Sequence, residues 1–386
     1  MKIADVNGFY AEAGGGVRRY VEAKFAAAAR AGHELTVIAP GAADRVEPRV
    51  GGQVRWLASP TMPFDSRYRR FAGRRSVWAA LEATAPDLVE ASSPWASATI
   101  AATWPGRAPR VLVFHQDVAA AYAHTALDRM ISRQAIDTLA WPWWARLRRL
   151  SRRFGATVAG GEWLAARLAA HGVANAVAIP FGIEAGAFGP EHRDEVLRAE
   201  LLARCGAPPD SKLLLAVSRF HPEKRLPTVI DAFGRARATR GDLALAIVGH
   251  GLAHASVARA ADRAGRVVLL GAIDDREALA RVYASADLFV HGSAAETYGL
   301  AVAEAIASGL TAVTPDRGGA GDLARVGWSK TYRAGDAAAA AHAILAALNG
   351  EVDPATRPPP GSLNDHFAKL FALYEKRVTA IPPPSP

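Results

Sequence analysis

The run LFVHGSAAETYGLAVAEAIASG, residues 288–309, decides how the rest of the chain is read. LFVH is a short apolar strand. The loop Gly292-Ser293-Ala294-Ala295-Glu296-Thr297-Tyr298 follows, and a helix begins near Gly299. Glu304 lies inside the apolar turn AVAEAIA, where an unpaired buried carboxylate is expensive, so it needs a polar partner. Strand, polar loop and helix in this order are one step of a strand–helix alternation.

Working outward, the alternation repeats along the chain. Apolar runs occur at 2–6, 35–39, 87–91, 111–114, 156–159 and 176–179, and again at 213–218, 244–249, 267–271, 288–292 and 311–315. Helix-like spacings separate them; Val17, Tyr20, Val21, Phe25 and Ala28 recur at threes and fours. Near-continuous apolar strands divided by helices predict parallel sheets covered on both faces. The series runs twice, and PFGIEAGAFGP (180–190) interrupts it as a hinge. The expectation is α/β: two Rossmann-like domains, residues 1–182 and 183–361, with a cleft between them. SLNDHFAKLFALYEKRV (362–378) reads as a final amphipathic helix with Ser362 as N-cap.

The chain has 386 residues, half of them hydrophobic, enough for two cores. Its one cysteine, Cys205, excludes an internal disulfide and fits a reducing cytoplasm. The opening MKIADVNGFYAEAGGG lacks the apolar run of a secretory signal, and no run approaches the roughly 20 residues that span a bilayer. A cytoplasmic protein is expected, soluble or peripheral on the inner face of the membrane.

Open parallel sheets bind ligands beyond the carboxyl ends of their strands, so chemistry is sought in loops that follow strands. Gly14, Gly15 and Gly16 precede the first helix; glycine backbone can approach a phosphate closely there. A plain flexible turn is the other reading. His115 directly follows the strand VLVF, a crevice position that a structural histidine could also hold. In Ser218-Arg219-Phe220-His221-Pro222-Glu223-Lys224-Arg225, Arg219 and Lys224 are cations five residues apart in one loop. Such a loop can fold both onto one diphosphate, or leave both solvated. Glu296 can accept hydrogen bonds from sugar hydroxyls, Glu304 from a ribose, and the helix start near Gly299 can receive a phosphate.

SRFHPEKRL, IVGHG, ASADLFVHGSAAETYGLAVAEAIASG and PDRGGAGDL together resemble the family 4 (group 1) retaining glycosyltransferases of the GT-B fold. The Glu296…Glu304 spacing is similar to that family's Glu-x7-Glu signature. The resemblance implies a hexosyl transfer from a nucleotide sugar to an acceptor hydroxyl, with retention of anomeric configuration. It implies backbone contacts to donor phosphate from Gly15 and Gly16, and His115 on the donor sugar. It places Arg219 and Lys224 on the diphosphate, and Glu296 on sugar hydroxyls. It puts N–H groups of Tyr298, Gly299 and Leu300 on the sugar and distal phosphate, and Glu304 on the ribose. Residues around Gly249 and Gly271–Ile273 would line the base, and the resemblance implies that the last helix, 362–380, packs back onto the first domain. UDP is expected first and GDP-mannose next. With cations at the phosphates and no acidic metal motif in those loops, no metal and no other cofactor is expected. His250 and Asp322 depart from the residues many relatives carry there.

The net charge of +9 is uneven: residues 1–182 hold 23 Lys+Arg against 14 Asp+Glu, and residues 183–386 hold 23 of each. A basic half admits nucleic acid, anionic lipid, a polyanionic substrate or plain solubilising charge. No nucleic-acid module accompanies the arginines, so no nucleic acid is expected. Two Arg/aromatic segments, 67–78 and 141–154, stand out. On a helix Trp143, Trp144, Leu147, Leu150 and Phe154 share one side: either a core-facing side or one lying on an anionic membrane. The second reading makes the acceptor a lipid or a lipid-linked glycan. An epimerase or phosphorylase of the same fold is the alternative enzyme.

Overall fold

The computed structural model describes residues 1–12, 16–63, 65–117, 119–128, 130–325, 329–350 and 360–380. Two sheets organise them. The first domain contains β1 (Lys2–Asn7), β2 (Glu34–Gly41), β3 (Arg45–Arg49), β4 (Gly52–Ala58), a small hairpin β5 (Thr61–Met62) and β6 (Asp65–Arg69), then β7 (Leu88–Ser92), β8 (Arg110–Phe114), β9 (Ala156–Ala159) and β10 (Ala176–Ala178). Eight of these form one sheet in the order β10-β9-β8-β7-β1-β2-β4-β3, parallel except for the β3–β4 pair. The second sheet is parallel throughout. It comprises β11 (Lys212–Val217), β12 (Leu243–Val248), β13 (Val267–Gly271), β14 (Leu288–Val290), β15 (Thr311–Pro315) and β16 (Ser329–Tyr332), ordered β13-β12-β11-β14-β15-β16. The antiparallel edge of 45–69 is not announced by the apolar runs, because its strands are polar and exposed on one side.

Strand alternation builds the layers. Val111 and Val113 enter one core of the first sheet while Leu112 and Phe114 enter the other. Leu213 and Leu215 face one side of the second sheet, Leu214 and Ala216 the opposite side. Both faces are therefore covered, which is why strands such as LALAIV of β12 are buried along their whole length.

The final helix, Leu363–Thr379, returns to the first sheet. Phe367, Leu370, Phe371 and Tyr374 recur at threes and fours and join the core of Ile3, Val21 and Phe25. Ser362 caps it in a reciprocal box with Asp365, its hydroxyl accepting the Asp365 N–H at 3.1 Å. The chain thus crosses between domains twice. The crossings lie side by side: Ile183 N–H donates to Gly361 O at 3.0 Å, and Leu363 N–H to Ile183 O at 2.9 Å. Gly182 is required there, since a Cβ would sit 2.2 Å from the Ser362 carbonyl carbon.

The Trp/Arg helix, Trp141–Ser151, follows the first of its two readings, with its apolar side facing the core. Trp144, Leu147 and the following Phe154 are buried in the first domain's core, with Trp143 and Leu150 packed against it. The apolar side is thus spent on the core. The same holds in 67–78, where Phe71 and Val77 are buried and Trp78 is partly so. What stays exposed is Trp141 at the start of the helix, at 67%, and Met130 and Leu139 before it, at 79% and 67%. No helix among the described residues is long and apolar enough to cross a membrane.

Candidate active site

β11 is flanked by β12 on one side and by β14 on the other, so the strand order reverses between them. The loops leaving β11 and β14 therefore diverge from adjacent strand ends and open a crevice. The β11 loop carries Arg219 and Lys224; the β14 loop carries Glu296. The two loops meet: the Lys224 ammonium donates to Glu296 Oε1 at 2.7 Å, and His291 Nε2 lies 3.2 Å from the same oxygen. Burial opposes the Glu296 charge, but Lys224 and His291 outweigh it and hold its carboxyl well below the usual range. Burial likewise opposes the Lys224 ammonium, and Glu296 and Glu223 raise it above its ordinary value. The pair is ionised.

Glu223 has no assigned role in the sequence, yet it organises the cations. It is buried, and one of its oxygens lies 3.6 Å from Arg219 and 3.5 Å from Lys224. Arg219 remains 74% exposed, with that one carboxylate as its acidic neighbour among the described residues. The next residue, Arg225, adopts the left-handed region with φ of 50°. It bridges the domains, its guanidinium 2.6 Å from Asp128.

Gly299, with φ of 96°, starts the helix Leu300–Ala307, and no side chain caps it. Leu300 is 45% exposed beside it, whereas Tyr298 is buried against Phe181. The loop backbone is clamped from behind by Gly319, whose N–H donates to Glu296 O at 2.8 Å and whose Cβ, if present, would lie 2.3 Å from Tyr298 Cα. Inside the helix, Glu304 finds the partner its surroundings demand: the Tyr283 hydroxyl donates to it at 3.0 Å. Burial raises its carboxyl nonetheless, while Tyr283, Arg276 and Arg19 of the first domain pull it down. Gly249 and Ile273 lie at the same end of the second sheet. Gly249 N–H donates to Gly271 O at 2.7 Å, drawing the ends of β12 and β13 together.

From the first domain, Gly16 opens the exposed start of the helix Gly16–Arg30, while Gly14 and Gly15 lie outside the described residues. His115 follows β8. Its ring stacks on Phe181 at 5.6 Å and meets Tyr20 edge-on at 5.0 Å. Burial lowers it to about 4, so the imidazole is neutral at pH 7, and its Nε2 has no hydrogen-bond partner among the described residues. Its backbone oxygen accepts from the Thr297 hydroxyl of the other domain at 3.4 Å. Lys224 and Glu296 are thus in direct contact and Arg219 joins them through Glu223. Glu304 and His115 approach from separate elements.

A third interdomain contact was also not foreseen. Asp322 accepts the Trp163 N–H at 2.8 Å, capping the start of the first domain's helix Glu162–Ala170. Sequence reasoning marks Asp322 only as a departure from the residue many relatives carry, and has no means of finding its partner 159 positions away.

Two face-to-face doubly wound domains with the last helix returned to the first are the GT-B architecture. Sucrose-phosphate synthase from Thermosynechococcus elongatus shares it, with a TM-score of 0.67 at 19% identity over 98% of this chain and 96% of that one. The family model for Glycosyltransferase Family 4 matches residues 14–186, and that for Glycosyl transferases group 1 matches residues 211–350. A GDP-mannose-dependent alpha-mannosyltransferase of Mycolicibacterium smegmatis is 32% identical over 307 residues, 76% of this chain and 74% of that protein. A GDP-mannose-dependent alpha-(1-6)-phosphatidylinositol dimannoside mannosyltransferase of Mycobacterium tuberculosis is 29% identical over 318 residues, 81% and 79% of the two. The chain belongs to the group 1, family 4 glycosyltransferases. It is a glycosyltransferase that uses a nucleotide sugar.

Proposed function

We propose that the chain transfers a mannosyl group from GDP-mannose to a hydroxyl of a membrane lipid or cell-envelope glycan, with retention and without metal. The Lys224–Glu296 pair at the crevice carries the reading. A cation aimed at a departing diphosphate stabilises the charge that develops there, and a carboxylate beside it can take sugar hydroxyls. Arg219 and Lys224 bind the diphosphate; Gly15, Gly16 and the helix start at Tyr298, Gly299 and Leu300 add backbone N–H groups. Glu296 and His115 orient the sugar, Glu304 holds the ribose, and Gly249 and Ile273 border the base. The names of the relatives favour guanine, so the UDP expected from the sequence gives way to GDP.

In the transfer, the bond from the anomeric carbon to the phosphate oxygen breaks and a bond to the acceptor oxygen forms on the same face. The acceptor proton passes to the leaving phosphate. Glu296, tied to Lys224 and His291, is not free to act as a glycosidase-type base.

The test is thermal stabilisation by GDP, UDP, ADP and dTDP in EDTA and then with Mg²⁺, followed by transfer from GDP-mannose. A ligand at 100 times its dissociation constant adds roughly 2.7 kcal/mol. GDP should stabilise most, equally in EDTA, and Glu304→Ala should lose the effect. A larger shift with UDP overturns the base, a strict Mg²⁺ requirement overturns metal independence, and a β-anomer of the product overturns retention.

A further inference from the structure

A cavity of about 860 Å³ lies at the seam between the domains, lined by Arg133, Trp141 and Arg148 of the first and Arg317 and Arg333 of the second. Its volume suits a small ligand, and domain seams are where such sites concentrate. None of the donor-site residues above lines it.

Its charge is unbalanced. The two carboxylates on its wall are already engaged: Asp128 with Arg133 and Arg225, at 2.8 and 2.6 Å, and Asp137 with Arg167 and His124, at 2.7 and 2.9 Å. Arg333 has no partner among the described residues for its side chain, and Arg317 has only Asp316 at 3.8 Å. Arg148 donates to the His171 carbonyl at 3.2 Å and pairs with no carboxylate among the described residues. Three guanidiniums around an open volume form a site for an anion, and their planar forks suit phosphate or carboxylate.

The cavity also leads to the chemistry. Arg133 and Arg317 line a narrow adjoining cleft whose other walls include Glu223, Arg225 and Ala295, neighbours of Lys224 and Glu296. Exposed apolar side chains adjoin its lining: Trp141 itself is a lining residue, and Leu139, Met130 and Ile131, exposed as well, neighbour the lining residues Thr138 and Ser132 in the chain. Cations inside and exposed apolar side chains beside them match a lipid with an anionic head.

Resting on the transferase reading, we infer that this cavity is the acceptor site and that its occupant is a lipid with a phosphate- or carboxylate-bearing headgroup. The head lies among Arg148, Arg317 and Arg333, and the chains leave over Leu139 and Trp141 toward the bilayer.

The test uses the full chain with GDP, with sn-glycerol 3-phosphate, and with vesicles of phosphatidylglycerol or of phosphatidylcholine. The chain should bind glycerol 3-phosphate and sediment with phosphatidylglycerol vesicles but not with phosphatidylcholine. Arg317→Ala with Arg333→Ala should weaken glycerol 3-phosphate binding at least tenfold. Leu139→Ser with Trp141→Ser should leave that binding intact and lose vesicle sedimentation. Stabilisation by GDP should be unchanged in both variants, which also shows that they fold. Glycerol 3-phosphate binding that survives loss of both arginines overturns the site, as does equal sedimentation with both lipids. Binding of glycerol 3-phosphate without any vesicle binding overturns the lipid assignment. Failure of GDP alone, with headgroup binding intact, overturns the donor reading instead.

Discussion

Asp5 and Glu90 face each other across the parallel β1–β7 pair, both fully buried. Two carboxylates so placed repel, and the structure answers with Lys24, whose ammonium lies 3.5 Å from Asp5 and contacts Glu90; the Tyr374 hydroxyl donates to Glu90 as well. Removing the cation strands two buried charges. Lys24→Met should therefore destabilise the chain by about 3–5 kcal/mol in urea unfolding, with Glu90→Gln restoring part of the loss. An unchanged midpoint would mean the triad is not a stabilising unit. Acid should weaken the fold too. Burial lowers His115 and His366 from 6.5 to about 4, so between those values the unfolded chain takes up protons that the folded chain refuses. Their contribution is complete above pH 6.5 and is lost as pH falls toward 4, at about 1.4 kcal/mol per pH unit for each. Asp5 acts oppositely: burial and then Glu90 raise it to about 6, so its contribution fades as pH rises through the range from 3.8. Two imidazoles outweigh one carboxyl, and the urea midpoint should be lower at pH 5 than at 7.5. In the crevice, Lys224→Ala should cut kcat about 10²–10³-fold, the scale for losing one fixed electrostatic contact to developing charge. Arg219, Lys224 and Glu296 were legible because charged residues in loops after apolar strands have few structural duties. Glu223, His291 and Lys24 were not, since their meaning lies in neighbours that only the strand order brings near.

Among elements, the helix Trp141–Ser151 shows what periodicity reports and what it omits. The spacing of Trp144, Leu147 and Phe154 establishes that one side is apolar, but not whether protein or lipid covers it. The covering comes from β8, β9 and their helices, which place that side in the core. Leu147→Ala should accordingly cost about 2–5 kcal/mol in stability and leave vesicle sedimentation of the folded fraction unchanged. A stable variant that no longer sediments would return this side to the membrane. The last helix was more readable. Its capping box and apolar stripe are local, and the return to the first domain was expected from resemblance. Phe371→Ala there should cost about 3–5 kcal/mol. The polar strands of 45–69 left no such trace, because an edge strand exposed on one side lacks a continuous apolar run.

At the scale of the molecule, the two-domain plan was legible because parallel sheets need long apolar strands in two separate series. The joints between domains were not. Arg225–Asp128, Asp322–Trp163 and Thr297–His115 each link residues whose approach depends on the relative placement of two whole sheets. If these contacts hold the closed form, Asp128→Ala should enlarge the radius of gyration in small-angle scattering. GDP-mannose should then recover the compact dimension of the parent. Identical scattering curves for variant and parent would show that this joint does not govern closure.

The paired crossing at Ile183 and Gly361 means that the second domain begins and ends at one place, its entry amide 3.0 Å from its exit carbonyl. A unit whose two ends touch behaves as a cassette seated in a socket. Residues 183–361 could be exchanged for the matching piece of a relative through two joints that lie together in space. The hybrid should take its nucleotide from the guest, and Arg317 and Arg333 of the interdomain cavity travel with it, so donor choice and part of that cavity move as one piece.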